Sequence, residues 1–416
     1  MAIMTNPISL GPWKGIDNTH QELYPDFQLG DRLKAVTELE NFRLTDDGWL
    51  VVRNGLTSRV SMTGGKSIYS HRSSGLLLFQ DGTSLYSSDP NNSFALAALA
   101  TGLSGEKIEF CEVAGKVFWT DGTTHGIVNS SGTVQNWGMV VPPSPTLEAT
   151  SGDLPAGRYR VSCALVDYNG VVSGAPAATT ITLDGAQDIT VDLASYDSNA
   201  VYVRVYASYT NTSELYYIGQ VAIGALPVTI TEINESNEIC WMQFLQPPQT
   251  LSAISVLDGL FSWRGFVFLF RGTRIARSFG NAHHLFMLGE ENHIWKLPYS
   301  VLGGGGDDTG PCFVATTNGL FKYSPSNDGL FSREQLDNRK YAKGSLILAA
   351  SELGPFTDIP GRVVIFASED GLVFGLPDGS ISVPKEGDIS WDIEDKSASI
   401  IHLESDELGE IFVTLE

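Results

Sequence analysis

Two glutamates and three histidines crowd one short stretch of this sequence: His283, His284, Glu290, Glu291 and His293. Imidazole and carboxylate together are a zinc-type donor set. Neighbouring residues on extended backbone point to opposite faces, so His283 and His284 cannot share one ion without an irregular chain, and loop histidines are the expectation. Gly303–Gly310 has the glycine density of a phosphate loop but lacks the following Lys-Ser/Thr and helix, so a flexible loop is expected there. Asp46-Asp47, Glu290-Glu291 and Asp307-Asp308 are adjacent carboxylates that could act as acid–base pairs or calcium ligands. They diverge for the same reason, none has EF-hand spacing, and solvated turns are expected. The sequence contains no Gly-x-Ser-x-Gly, no HExxH and no Cys/His nucleophile arrangement. Cys111, Cys163, Cys240 and Cys312 are widely spaced with no CxxC pair, which predicts reduced, mostly buried thiols. The expectation is a protein that is not an enzyme and uses no metal or cofactor.

Charge is more informative than these clusters. Arg264, Arg271, Arg274 and Arg277 fall in a stretch with no acid, and they are the candidate interface. The end of the chain is acidic, with Glu386, Asp388, Asp392, Glu394, Asp395, Glu404, Asp406, Glu407 and Glu410, which become candidate channel-facing acids under the family resemblance given below. Both sets could be ordinary solvated strand faces, or they could meet across subunits and fix register in a ring. The whole chain carries 48 Asp and Glu against 26 Lys and Arg, a formal charge of −22. Nucleic-acid affinity rests on neutralising phosphates with a basic face, so DNA should be repelled by most of this surface.

The elements that must position these residues are short strands. Asp-Gly recurs at 47, 81, 121, 184, 258, 328, 370 and 378, and Asn-Gly at 54, 169 and 318. Such pairs supply the positive φ of tight hairpin turns, and their recurrence predicts many antiparallel strands. Helical periodicity is nearly absent; the best candidate is Asp31–Glu40. A unit of apolar strand, turn and apolar strand repeats at 68–86, 107–122, 254–270, 311–323 and 362–375. Four-stranded units at such a spacing predict a β-propeller of five or six blades. Proline-rich borders, Pro142–Pro145 and Gln246–Gln249, interrupt the repeat. Between them, alternating segments near 157–167, 178–183, 189–193, 201–206 and 215–221 predict an immunoglobulin or fibronectin III-like β-sandwich. The expected fold is therefore all-β, with residues 1–141 as N-terminal segment and first blades, 142–247 as inserted sandwich, and 248–416 as remaining blades with a closing C-terminal strand. That last strand, 409–415, is expected to complete one blade with Trp49–Arg53. With 416 residues, 42% hydrophobic content and 18% charge the chain is long enough for two or three globular domains. No apolar run reaches the roughly 18–20 residues of a membrane helix, and Met1–Pro7 does not read as a secretory signal, so a cytoplasmic site of synthesis is expected.

The opening Lys14–Asn18, followed by Ala35–Gly55, resembles the start of structural tail proteins of double-stranded DNA phages. In that family a "GINN" element precedes a strand–turn–strand with the residues that stand here as Asn41, Asp47, Gly48, Leu50, Arg53 and Gly55; Asp17 departs from the usual asparagine. The insert 154–219 is similar to the sandwich these proteins carry, and Trp263–Gly280 is similar to the blade that follows it. The resemblance covers most of the chain, and its weight lies in the order of the parts. It implies a short-tail (podovirus-like) hub or nozzle: a homo-oligomeric ring, often a hexamer, beneath the portal and adaptor. Genomic DNA would pass through without specific binding, tail fibre or needle proteins would dock outside, and no membrane insertion is implied. Its place would be the virion tail, and the host cytoplasm during assembly. The competing reading is a carbohydrate-binding or carbohydrate-cleaving propeller. A hydrolase would need convergent acids or an arginine triad at the axis, or Asp-box repeats, and the sequence offers none; a Trp-Asp-repeat scaffold is disfavoured because the repeat ends are missing.

Overall fold

A computed structural model describes residues 64–234, 238–240, 245–246, 257–280, 282–287, 294–325, 331–350, 361–383, 391–393, 397–405 and 408–415, with the short stretches 13–16, 34–36, 42–44 and 50–52 and residue 62 ahead of them. The chain divides into two compact units, Thr63–Val301 and a second made of Met1–Met62 with Leu302–Glu416. Near the start, β1 (Trp13–Ile16) pairs in parallel with β2 (Lys34–Val36), and β3 (Phe42–Leu44) pairs antiparallel with β4 (Leu50–Val52).

The unit Thr63–Val301 begins with two four-stranded antiparallel meanders. The first runs β5 (Gly65–His71), β6 (Leu76–Asp81), β7 (Ser84–Asp89), β8 (Ala95–Thr101); the second runs β9 (Glu109–Val113), β10 (Lys116–Thr120), β11 (His125–Val128), β12 (Val134–Gln135). Seven strands follow: β13 (Thr146–Leu154), β14 (Gly157–Asp167), β15 (Thr179–Leu183), β16 (Gln187–Asp192), β17 (Ala200–Ala207), β18 (Tyr216–Ala222) and β19 (Val228–Ile230). They form two antiparallel sheets, β13-β16-β19 and β15-β14-β17-β18. The sequence alternates, so each sheet turns one apolar face inward: Val161, Cys163, Val203 and Val205 of one sheet share a core with Ile189, Val191 and Ile230 of the other. Ala164, on the opposite face of β14, packs instead with Tyr206, Leu245 and Leu285. A further sheet closes the unit, with β20 (Leu245–Gln246), β21 (Gly259–Trp263), β22 (Phe266–Arg271), β23 (Arg274–Phe279), β24 (Ala282–Met287) and β25 (Ile294–Lys296) in the order β20-β24-β23-β22-β21, β25 pairing with β23.

The second unit repeats the meander. One sheet is β26 (Val301–Gly306), β27 (Cys312–Thr316), β28 (Gly319–Pro325), β29 (Phe331–Gln335); the next is β30 (Ile347–Ala350), β31 (Arg362–Ser368), β32 (Gly371–Gly375), β33 (Ile381–Ser382). A two-stranded hairpin, β34 (Ala398–Ser405) with β35 (Leu408–Leu415), ends the chain.

Inner strands are buried on both faces, which explains their nearly continuous apolar runs. On β10, Val117 and Trp119 pack with Leu78 and Leu85 of the preceding sheet and with Ile108 just before β9, while Phe118 packs with Val267 and Leu269 of β22. On β31, Val364 and Phe366 face Phe313 and Leu320, while Val363, Ile365 and Ala367 face Ala349, Phe374 and Ile393. Each such side chain is worth roughly 1.5–3 kcal/mol of transfer free energy, so adjacent sheets stabilise one another.

Three sequence expectations are corrected. Asp31–Glu40 contains strand β2, because pairing with β1 outweighs the weak preference of a ten-residue helix. Among the described residues the C-terminal strand β35 pairs with β34 over eight residue pairs and not with β4; pairing with the strand just before it in sequence carries little loop-closure cost. Gly303–Gly306 is strand β26, with residues 304–306 buried. A Cβ on Gly306 would lie 2.2 Å from the Pro311 carbonyl oxygen, and one on Gly305 3.3 Å from Leu346 Cδ2. These glycines allow close approach of chain segments. Gly306→Ala should accordingly lower the melting temperature by about 5 °C or more, whereas Gly303→Ala, whose nearest neighbour would be 3.9 Å away, should shift it by about 2 °C or less; differential scanning fluorimetry of the two variants checks this.

Candidate functional site: the arginine-bearing sheet

The four candidate arginines lie on the sheet containing β21–β23, and its geometry separates them. Arg264 sits in the β21–β22 turn with φ +50°, followed by Gly265 at +71°. Positive φ at both central residues is the type I′ turn that matches strand twist, and it favours asparagine or glycine, so a side chain as large as arginine is strained there. The Arg264 guanidinium carbon stands 5.3 Å from the Trp263 ring centroid. Arg277 is half-buried: it pairs with Phe268 across the ladder, its guanidinium carbon lies 4.9 Å from the Phe266 ring, and burial pushes its pKa down. These contacts give Arg277 a packing role within the sheet.

Arg271 and Arg274 form the exposed pair. They face each other in register across the tight turn Gly272-Thr273, at the opposite end of β22 from Arg264. Directly opposed residues on one sheet face are only about 4.5–5.5 Å apart at Cβ, and like charges so placed repel. The turn cannot relax to part them. Asp258 Oδ2 accepts the Gly272 N–H at 2.6 Å, Gly272 O accepts the Val301 N–H at 2.8 Å, and Thr273 O accepts the Leu297 N–H at 2.8 Å. Among the described residues neither arginine makes a side-chain hydrogen bond or ion pair.

Of the acidic candidates, Asp392 is exposed, and Glu404 on β34 and Glu410 on β35 pair with Gly409 and Leu403, one and two steps from the closing pair Ser405 and Leu408. Glu386, Asp388, Glu394, Asp395, Asp406 and Glu407 lie outside the described residues.

Of the histidine cluster, the structure describes His283 and His284, both on β24. His283 Nε2 donates to the Gly265 carbonyl at 2.7 Å, and His284 Nε2 to the Val172 carbonyl at 2.7 Å, so the two rings serve different neighbours. His293, Glu290 and Glu291 lie outside the described residues. Asp307 caps its own turn by accepting from the Thr309 hydroxyl at 2.5 Å; Asp46 and Asp47 are not described.

A feature that sequence reasoning missed is Trp137. It is fully buried, donates its indole N–H to the His283 carbonyl at 3.1 Å, and contacts Phe118, His125 and Phe286. No periodicity marks a lone tryptophan in a connection, so only tertiary structure reveals it. Beside it opens a cleft of about 570 Å3 between the second meander, the β14 loop at 167–172 and β24. Another missed group is Asp121, whose carboxylate is almost wholly buried. Burial raises its pKa, but hydrogen bonds from Thr124, Ser104 and Thr123 outweigh that and hold it below the usual value.

No protein-family model and no curated protein matches the sequence. Among solved structures the chain is similar to a streptogramin B lyase (12% identity, 82% of this chain and 88% of that one, TM-score 0.34). It is similar also to a gluconolactonase from Xanthomonas campestris (10% identity, 85% and 83%, TM-score 0.35). A third is the Cps50 (Swd1) β-propeller domain of Myceliophteria thermophila (9% identity, 86% and 98%, TM-score 0.36).

Two outcomes are expected. Burial depresses the pKa of His125, His283 and His284, opposed in part by Asp121 at His125 and by the hydrogen bonds to the Gly265 and Val172 carbonyls at His283 and His284, where Lys116 adds to the depression. Unfolded histidines bind protons below about 6.5 while the folded ones resist, so stability is complete above that pH and falls as pH drops through it. The melting temperature should thus decline between about pH 7.5 and 5.5, a window in which carboxylates stay ionised, and His284→Gln should flatten the decline. Second, Asp121→Ala removes the acceptor of three backbone N–H groups in a part-buried turn and should cost about 1–2 kcal/mol in urea unfolding.

Proposed function

We propose that the chain is a structural subunit of a short phage tail, a hub or nozzle that assembles as a homo-oligomeric ring around the path of the genome. In this reading the meanders are blades of a β-propeller of five or six blades, and the two-sheet segment between them is an inserted immunoglobulin or fibronectin III-like sandwich. The observation that carries it is the order of parts among the described residues: two four-stranded meanders, a two-sheet segment with its own core, then three larger sheets and a two-stranded one. That order matches the one the tail-protein resemblance implies.

The arginine pair supports assembly. On a chain of charge −22, Arg271 and Arg274 are held together by a pinned turn, and among the described residues neither guanidinium is paired with a carboxylate, which suits them to a carboxylate-bearing neighbour. Bulk self-repulsion opposes ring formation, so association should strengthen as salt rises to about 0.15 M and beyond, where screening removes long-range repulsion and leaves the contact pairs. An acidic lumen would let DNA slide, because no phosphate contact would hold it. The adaptor, fibres or needle would dock on other surfaces of the ring.

The test is the particle mass and a density map of the purified protein, alone and with virions, together with a DNA-binding assay. The reading expects a closed ring, carboxylates on the lumen, and no retention of DNA at about 0.15 M salt; a monomer at all salt concentrations, a basic lumen or tight DNA binding would overturn it. Arg271→Glu with Arg274→Glu should abolish the ring while leaving the melting temperature within about 2 °C, since both side chains are exposed. Arg264→Asn relieves a positive-φ position and should raise stability by about 0.5–1 kcal/mol, read by urea unfolding.

A further inference from the structure

The cleft beside Trp137 is lined by residues far apart in sequence: Lys116, Gln135, Asn136, Asp167, Tyr168 and Asn169 are among them. It lies where the two-sheet segment meets the second meander, the kind of junction at which ligand sites concentrate, and its volume of about 570 Å3 is in the range of small-ligand pockets. Tyr168 is 89% exposed, more than any other large hydrophobic side chain among the described residues.

That exposure is not the result of a loose loop. Asp167 Oδ1 accepts the N–H groups of Asn169 and Val171, both at 2.8 Å, and the Asp167 N–H donates to the Val171 carbonyl at 3.0 Å. The base of the loop is tied across by the Val166–Val172 bridge, and Val172 O accepts from His284 of β24. A rigid hairpin therefore holds an aromatic ring in water at the mouth of a cleft, with its ordering already complete before any ligand arrives.

The polar groups narrow the ligand chemistry. The side-chain amides of Gln135, Asn136 and Asn169 have no hydrogen-bond partner among the described residues, and each offers a carbonyl acceptor beside an N–H donor. A sugar hydroxyl donates and accepts at once, so adjacent hydroxyls complement such amides. One face of a pyranose ring carries only C–H bonds and packs flat on an aromatic ring. Phosphate or nucleotide would demand more cations than Lys116, which shares the site with Asp167 on a strongly acidic chain.

We propose that this cleft binds a neutral oligosaccharide, with one sugar ring against Tyr168 and its hydroxyls on the amides of Gln135, Asn136 and Asn169. The site binds without cleaving. Its carboxylate, Asp167, is occupied by two backbone N–H groups, and glycoside hydrolysis needs a pair of carboxyls flanking the bond. The proposal stands independently of the tail reading, since it uses only the junction within Thr63–Val301.

The experiment uses the full chain and pentamers of β-glucose, α-glucose, mannose, galactose and N-acetylglucosamine, with hyaluronan and heparin fragments as acidic probes, measured by saturation-transfer NMR and calorimetry. At least one neutral pentamer should bind saturably. Tyr168→Ala should weaken it by about tenfold or more, and Gln135→Ala with Asn136→Ala to a similar extent. Tyr168→Phe should keep the affinity, and Tyr196→Ala, an exposed tyrosine outside the cleft, should change nothing. No saturable binding of any neutral pentamer at about 10 mM, binding confined to the acidic probes, or binding untouched by Tyr168→Ala would overturn the proposal.

Discussion

Two-sided burial of the inner strands is the constraint on which the rest depends. A sheet whose second and third strands are apolar on both faces is insoluble by itself and must be covered twice. β10 meets this need with Val117 and Trp119 against one neighbour and Phe118 against the other, and β31 repeats the solution. Once stacking is obligatory, outer strands are left with open edges. Most are blunted: β12 and β33 have two residues each, and β29 carries Arg333 and Glu334, with Glu334 paired to Lys322 at 2.7 Å. β8 departs from this, with seven uncharged residues and Leu96 half-exposed.

The parts of the fold governed by local chemistry were legible in the sequence. Asp-Gly at 81, 121, 370 and 378 and Asn-Gly at 318 fall in hairpin connections, and all five apolar repeats are hairpins. Asp258-Gly259 is different: Gly259 begins β21 with the Phe270 ring where its Cβ would be, and Asp258 braces another turn. β13 escaped notice because its outward positions make it polar along most of its length. Gly303–Gly306 misled because composition cannot distinguish a glycine that needs freedom from one that needs room.

The same division runs through the candidate site. Four arginines within one short stretch looked like a single patch, but strand length sends Arg264 to one end of β22 and Arg271 to the other, and packing takes Arg277 inward. The cleft was invisible for a complementary reason: its walls come from segments around 116, 135, 168 and 283, which only the stacked sheets bring together. Sequence spacing shows which residues are neighbours along the chain, whereas a site assembled from distant segments leaves no such trace.

The glycine strand carries a practical lesson for anyone wishing to label this protein. Gly303–Gly306 has the look of a natural port for an affinity tag or fluorophore, yet an insertion there would split a strand whose backbone is buried against its neighbours. A better port is the β15–β16 turn at 184–186, where a Cβ on Gly185 would meet nothing within 4 Å. A cargo grafted at that turn would hang from the rim of a self-contained core, leaving the stacked sheets to fold around their own contacts.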